Sequence, residues 1–292
     1  MGYRLKKRIR VSDLTLRLGL SFQGVDAELL GVSTLDDQSL GFLVFSKIEG
    51  KALAGSIIVE PANGELSNHS DVNYTTIESN NPRLDFIRLL DVLATEIGFS
   101  TYEFASKIHE SAVIGPNVVI EAGCTVGENV IIEANTVIHS GTNIGANTRI
   151  RSCSSIGGDG FGFERLEDGT PVRFPHLGGV VIGEDVEIGA LNSISRGALS
   201  NTKVDAFVKT DNLVHIAHNC HVKEGAFITA CAEISGGVVI GEGAWIAPNS
   251  CTHQKITIGD HAVVGLGAVV TKNIPNNSIW AGNPAKKLRD IK

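Results

Sequence analysis

The stretch IHESAVIGPNVVIEAGCTVGENVIIEANTVIHSGTNIGANTRIRSCSSIG, residues 108–157, places Ile108, Ile114, Ile120, Val126, Ile132, Ile138, Ile144, Ile150 and Ile156 at intervals of six. An amphipathic helix needs apolar residues about every 3.6 positions, and a half-buried strand about every 2. A period of six fits neither. It is the mark of a parallel β-helix, in which each hexad supplies a short strand and a turn and three hexads close a triangular coil. The apolar residue points inward and stacks on its equivalent one coil away. Gly115, Gly127, Gly145 and Gly157 follow an apolar position directly, and Ala122, Ala134 and Ala146 stand two after it. Small residues are expected where the turning backbone has little room or needs φ > 0. A β-sandwich with regular turns is the alternative, and nine unbroken repeats argue against it.

Residues 1–106 lack this period. Ser12-Asp13 ahead of Leu14, Leu16 and Leu18 reads as a helix cap and a short helix. Segment 40–60 reads as two strands, Leu40 to Phe45 and Gly55 to Val59, separated by a short helix. Asn81-Pro82 followed by Leu84, Phe86, Ile87, Leu89, Leu90, Val92 and Leu93 predicts an amphipathic helix with proline in its first turn. The expected organisation is a small α/β domain over 1–106, a solenoid over 107–276 and a short basic tail over 277–292. Within the solenoid the period breaks at Gly157–Phe163, resumes at Ile182, Ile188 and Ile194, and slips at Ser200–Thr202. It then runs from Val204 through Ile216, Val222, Ile228, Ile234, Ile240 and Ile246, with Thr252 at an inward position, to Ile258, Val264 and Val270. The count predicts seven to eight coils. The break is expected to throw out a loop, and such loops often carry function.

The net charge of −7, with no basic stripe interleaved with aromatics, argues against a nucleic-acid partner. Five scattered cysteines form no close pair, so neither a disulfide framework nor a zinc motif is expected, and a reduced, cytoplasmic setting fits. No run of 18 apolar residues occurs, so no stable membrane insertion is expected. The basic start, Arg4, Lys6, Lys7, Arg8 and Arg10, reads as a solvated edge, with contact to an anionic membrane surface or phosphate as the alternative.

Chemistry concentrates in Asp211 to His221, with His215, His218 and His221 inside seven residues. Position 216 points into the core, so His218 falls near a corner. Gly236 lies 18 residues on, one coil away, and should stand beside His218 at about the 4.8 Å spacing of paired strands. A histidine base next to a bare glycine N–H is an arrangement for acyl transfer: one takes a proton, the other holds an oxyanion. His253, close to two coils from His218, could reach the same wall, and Asp211 could orient the imidazole. Zinc held by His215, His218 and His221 is a rival, ranked lower because their spacing does not put two on one strand face. A catalytically silent scaffold is a further alternative.

Ile216-Ala217-His218-Asn219 preceded by Asp211-Asn212, the Gly158-Asp159-Gly160-Phe161-Gly162-Phe163 loop and Arg196-Gly197-Ala198-Leu199 resemble motifs of the lipid A pathway UDP-3-O-acylglucosamine N-acyltransferases. Phe42, Ile57-Ile58-Val59-Glu60-Pro61 and Asn81-Pro82 resemble that family's N-terminal domain. The resemblance runs from about residue 10 to 270. It implies a homotrimer of left-handed β-helices, with clefts between subunits where an acyl group passes from a thioester to the amine of a nucleotide-linked sugar. By matching position it implies His218 as general base, Gly236 as oxyanion amide, His253 as accessory and Asp211 as support. Phe42 matches the aromatic that stacks on the nucleotide base, and Asp159, Phe161, Phe163, His176 and His215 are further candidates for substrate contact. The family's second stacking aromatic falls on Ile48, and Ser195 stands where an acid precedes the Arg-Gly pair.

In place of the family's C-terminal helical extension, Val264 to Lys272, Ile274-Pro275 and Gly282 to Lys286 resemble the ending of coenzyme A-dependent hexapeptide acetyltransferases. Gly265 and Gly267 would leave room for a pantetheine arm, and Lys272, Lys286 and Arg289 would meet phosphates. The combined expectation is an N-acyltransferase acting on a nucleotide-activated amino sugar for surface glycan synthesis. Acyl-CoA is its first-choice donor and no metal is required. Two alternatives stand beside it: the lipid A enzyme using acyl carrier protein, and a zinc protein like the γ-carbonic anhydrases.

Overall fold

The computed structural model describes residues 2–34, 41–45, 57–61 and 75–291. It is mainly β, a left-handed parallel β-helix preceded by a small α/β region. The chain divides into two compact units: Met1–Thr101 with Gly162–Pro175, and Tyr102–Phe161 with His176–Lys292.

In the first unit a six-stranded mixed sheet has the order β1-β3-β4-β5-β6-β2. Its strands are β1 (Tyr3–Arg10), β2 (Phe22–Gln23), β3 (Glu28–Ser33), β4 (Phe42–Phe45), β5 (Ile57–Pro61) and β6 (Thr75–Ser79). The first helix, α1 (Val11–Leu16), starts before the expected Ser12-Asp13 cap. Ser12 does not cap it, because both its N–H and its hydroxyl donate to the Asp26 carboxylate, at 2.9 Å each. The second helix, α2 (Pro82–Val92), begins as predicted: Asn81 is the N-cap, accepting the Leu84 N–H, and proline occupies the first turn. A π-helical turn, Leu93–Ile97, ends it at Gly98. Ile48 and the helix expected between the strands of segment 40–60 lie outside the described residues.

The polar stretch after the solenoid break is not simply a loop. Phe163–Arg165 and Pro171–Arg173 pair as an antiparallel hairpin. Arg83 of α2 donates to Glu164 at 2.6 Å, and the Phe86 and Phe174 rings lie 6.3 Å apart. Short strands of mixed polar and apolar residues carry too little alternation to announce themselves.

The second unit is the solenoid. Two of its faces hold eight strands each, starting at Lys107–Ile108 and Val119–Ile120; the middle face, starting at Val113–Ile114, holds ten. Residues pair at a separation of 18, as in Val126 with Ile144 and Ile216 with Ile234. Across the break the separation is 38, Ile144 with Ile182, so 20 residues are inserted without loss of register. At the Ser200–Thr202 slip it is 22, Ile182 with Val204. The inward residues from Val126 onward are buried and form one continuous core.

The small residues of the repeat divide between the two expected reasons, little room and φ > 0. The glycine directly after an inward residue is required by crowding: a Cβ at Gly115 would lie 2.8 Å from the Ala134 nitrogen of the next coil. Left-handed backbone falls directly after an inward residue at Gly157, with φ 88°, and more often on the third residue after it, at Asn117, Asn129, Asn135, Asn147 and Asn219, and even at Leu191, Phe207 and Leu213. Asparagine tolerates that region best among residues with side chains. The final residues also depart from a tail. Ser278–Ala281 extends the middle face beside Val263–Val264, and Lys286–Asp290 folds back on it antiparallel. Among the described residues no helix is long and apolar enough to cross a membrane.

Candidate functional site

The strand His215–Ile216 buries Ile216 completely, and the chain turns immediately afterwards at the corner that closes each coil. That corner is fastened on both sides. The Ala217 N–H donates to the Ile234 carbonyl at 2.9 Å, and the His218 carbonyl accepts the Gly237 N–H at 2.9 Å. Asn219 follows with φ 61°, and Cys220 returns to the core. His218 is therefore held on a rigid edge with its half-buried ring projecting outward.

Two glycines and a histidine wall the ring. A Cβ at Gly236 would lie 2.8 Å from His218 Nε2, and one at Gly160 would lie 2.9 Å from His218 Cβ. The His176 ring, itself buried, meets the His218 ring edge-on with centroids 5.4 Å apart. Nδ1 of His218 lies 2.9 Å from Asn219 Oδ1. The arrangement leaves Nε2 facing bare glycine backbone, the geometry a base needs beside a reacting carbonyl.

Beneath this corner, Arg196 anchors the root of the Gly158–Phe163 loop. Its guanidinium donates to the Gly157 carbonyl at 2.7 Å and the Ser140 carbonyl at 2.8 Å, and stands 3.7 Å from Asp159. His139 sits between Glu121 at 3.1 Å and Ser155 at 3.2 Å. Burial pushes the Glu121 carboxyl upward, but the Ser140 N–H and His139 outweigh it and hold the group below its ordinary value.

The structure sorts the candidates from the sequence. His218 and Gly236 are adjacent, as the coil arithmetic requires. His253 occupies the same corner two coils on, but in the register of Ala217 and Ser235, with Nδ1 3.0 Å from the Gln254 carbonyl. Within one chain Asp211 does not reach His218. Seven residues span a whole hexad, so Asp211 sits at the preceding corner, where its carboxylate accepts the Asn212 N–H at 2.7 Å. It lines a shallow groove of about 280 Å³ there, with Arg151, Glu187 and Lys209. The group on the imidazole within one chain is Asn219.

His215 faces outward on the strand, in register with Ser193 and Glu233. Asp159 and Phe161 are exposed on the loop, Phe161 at 85%. Phe42 and Phe163 belong to the first unit. There Phe42 is buried at 4%, and the Arg173 guanidinium lies 4.7 Å over the Phe163 ring. Ser195, which precedes Arg196, is buried. The nominated coenzyme residues fall in different places. Lys272 lies on the His218 corner in its register three coils on. Gly265 and Gly267 turn the preceding corner, and Lys286 and Arg289 lie on the final hairpin strand of the middle face. Among the described residues no group of three or more His, Cys, Asp and Glu side chains is gathered as a metal would require. His221, one proposed zinc ligand, instead pairs with Asp205 at 2.7 Å.

Gly160, Asn219 and Arg196 stand in the motifs quoted from the sequence, but the sequence assigns them no individual role at the site. A further signal for Asn219 is that asparagine recurs at the left-handed position of the hexads, so its side chain is fixed by the corner.

Residues 105–140 and 124–158 match the family described as "Bacterial transferase hexapeptide (six repeats)". The chain is 33% identical to UDP-3-O-acylglucosamine N-acyltransferase of Campylobacter lari, over 97% of this chain and 95% of that protein. A relative of the same name from Helicobacter hepaticus is 37% identical over 45% of this chain and 40% of its own length. The solved structure of LpxA from Acinetobacter baumannii superposes with a TM-score of 0.55 at 25% identity, covering 63% of this chain and 72% of that one.

Proposed function

The chain belongs to the UDP-3-O-acylglucosamine N-acyltransferases, and from that membership we propose that it transfers an acyl group from a carrier-protein thioester to the amine of a UDP-linked, 3-O-acylated glucosamine. Similarity along nearly the full length supports this activity, in the lipid A pathway, over transfer from acyl-CoA to a different nucleotide sugar. It reverses the order of donors suggested by the C-terminal motifs alone.

The observation that carries the chemistry is His218 Nε2 set against Gly236. In the proposed step Nε2 removes a proton from the attacking amine as its nitrogen bonds to the thioester carbonyl carbon. The Gly236 N–H donates to the oxyanion that forms. The C–S bond then breaks, the carbonyl re-forms, and the proton on His218 passes to the departing thiolate, giving an amide and a free carrier thiol. Gly236 and Gly160 carry no side chain to crowd the ring, since a Cβ on either would come within 3 Å of His218. A homotrimer, with the acceptor held in part by Phe161, His176 and His215, completes the reading.

Thiol release from purified protein tests it. UDP-3-O-acylglucosamine is supplied with 3-hydroxyacyl carrier protein, the matching 3-hydroxyacyl-CoA or acetyl-CoA. Turnover with the carrier protein, lost by about 10²–10⁴-fold in His218→Ala, is expected. Turnover with acetyl-CoA alone would restore the nucleotide-sugar acetyltransferase reading.

A further inference from the structure

Resting on His218 as the base, we infer that Asn219 is a positioning residue that fixes the His218 imidazole as its Nδ1–H tautomer and so keeps Nε2 unprotonated toward Gly236. Which end of the Asn219 amide is oxygen follows from its fixed partners. Oδ1 accepts the Ala198 N–H at 3.1 Å, a group that can only donate. Nδ2 donates to the Ser200 carbonyl at 3.3 Å, which can only accept, and to the Ser200 hydroxyl at 2.8 Å. Rotating the amide by half a turn would set N–H against N–H and oxygen against oxygen, two uncompensated losses. The oxygen is therefore the atom 2.9 Å from His218 Nδ1, and an oxygen without a proton forces that nitrogen to be the donor.

The backbone makes the same choice rigid. Asn219 holds φ 61°, and its own N–H donates to the Thr202 hydroxyl at 2.9 Å. The Ala198–Ser200 segment that orients the amide runs into the Ser200–Thr202 slip, in the coil that carries four extra residues, so an irregularity of the repeat acts directly on the base. An amide also differs from a carboxylate at this place. It selects the tautomer without adding the negative charge that stabilises an imidazolium. Asn219 thus orients the ring without placing a carboxylate against Nδ1.

The test reads tautomer and turnover separately. Protein labelled with ¹⁵N at its histidine rings is examined at alkaline pH, and the signals that vanish in His218→Ala identify the ring. The expected pattern is a protonated Nδ1 and a bare Nε2. Asn219→Gly, which suits the left-handed backbone, should shift the ring toward the Nε2–H form and lower kcat about ten- to hundredfold with KM within about twofold. Ser200→Ala loosens the loop contact but leaves Oδ1 in place, and should leave the ring signals unchanged. Asn219→Asp keeps an acceptor and should retain the Nδ1–H pattern. An Nε2–H ring in the unsubstituted protein, or an Nδ1–H ring that survives Asn219→Gly, overturns the inference. The expected ring pattern without turnover on any donor would remove the proposed activity and leave the tautomer assignment standing.

Discussion

Gly236 and His218 stand one coil apart with nothing between the glycine Cα and the imidazole, so that a methyl group on Gly236 would lie 2.8 Å from Nε2 and 2.9 Å from Cε1. This glycine has no left-handed backbone to excuse it, unlike its neighbour Gly237 at φ 71°. Its lack of a side chain is a requirement of the ring beside it. Gly236→Ala should fold normally, because the ring can swing away, but displace the proposed base. A fall of about 10²-fold in kcat, with an unchanged melting temperature, is expected. Full activity would mean that the ring works from another position.

Arg196 is nearly enclosed, and its bonds to the Gly157 and Ser140 carbonyls have no substitutes in a shorter side chain. Arg196→Met should cost about 1–3 kcal/mol in urea unfolding by leaving those acceptors bare. It should also speed proteolysis at the loop bearing Asp159 and Phe161. Unaltered cleavage would show that the loop is held by other groups.

Burial pushes the Cys220 thiol up to about 12 from an ordinary value of about 9. Between those values an unfolded chain has lost a proton that the native state still holds. Stability present below pH 9 should therefore fall as pH rises toward 12, by at most ~1.4 kcal/mol per unit. Alanine fills the matching positions 226, 232 and 244, all buried, so Cys220→Ala should fold well and show a shallower alkaline decline. Identical alkaline slopes in the two proteins would refute the assignment.

Ile234 is fully buried and stacks on Ile216 in the coil below. Ile234→Ala should cost about 2–5 kcal/mol in denaturant unfolding. A loss below ~1 kcal/mol would mean that the stack collapses to fill the space.

The solenoid is legible in sequence because one residue in six carries nearly all of the burial, and the pairing at 18 makes neighbours computable. The same arithmetic brings His218 to Gly236 and, applied to Asp211, separates it from His218: a hexad turns a corner, so seven residues change the face. Thr252 and Thr210 interrupt the apolar pattern yet point inward, because their hydroxyls are satisfied there. Thr252 accepts the Ser235 N–H at 3.0 Å, and Thr210 bonds Asn192 at 3.0 Å. What stayed hidden depends on contacts from irregular segments. Gly160 reaches His218 only through the inserted loop, and Asn219 acquires its orientation from Ala198 and Ser200, where the repeat slips. Neither segment has a period from which its path could be computed.

Strand pairing that links each coil only to the one before and the one after has a dynamic consequence. Opening an end coil breaks one interface, whereas opening an interior coil breaks two at once, so the solenoid frays inward from its ends. Backbone amides around Ile216, with coils stacked on both sides, should be among the last to exchange with deuterium. The corner that carries His218 therefore owes its stillness to its place in the stack, and shortening the solenoid from either end would loosen that corner without touching a single residue of the site.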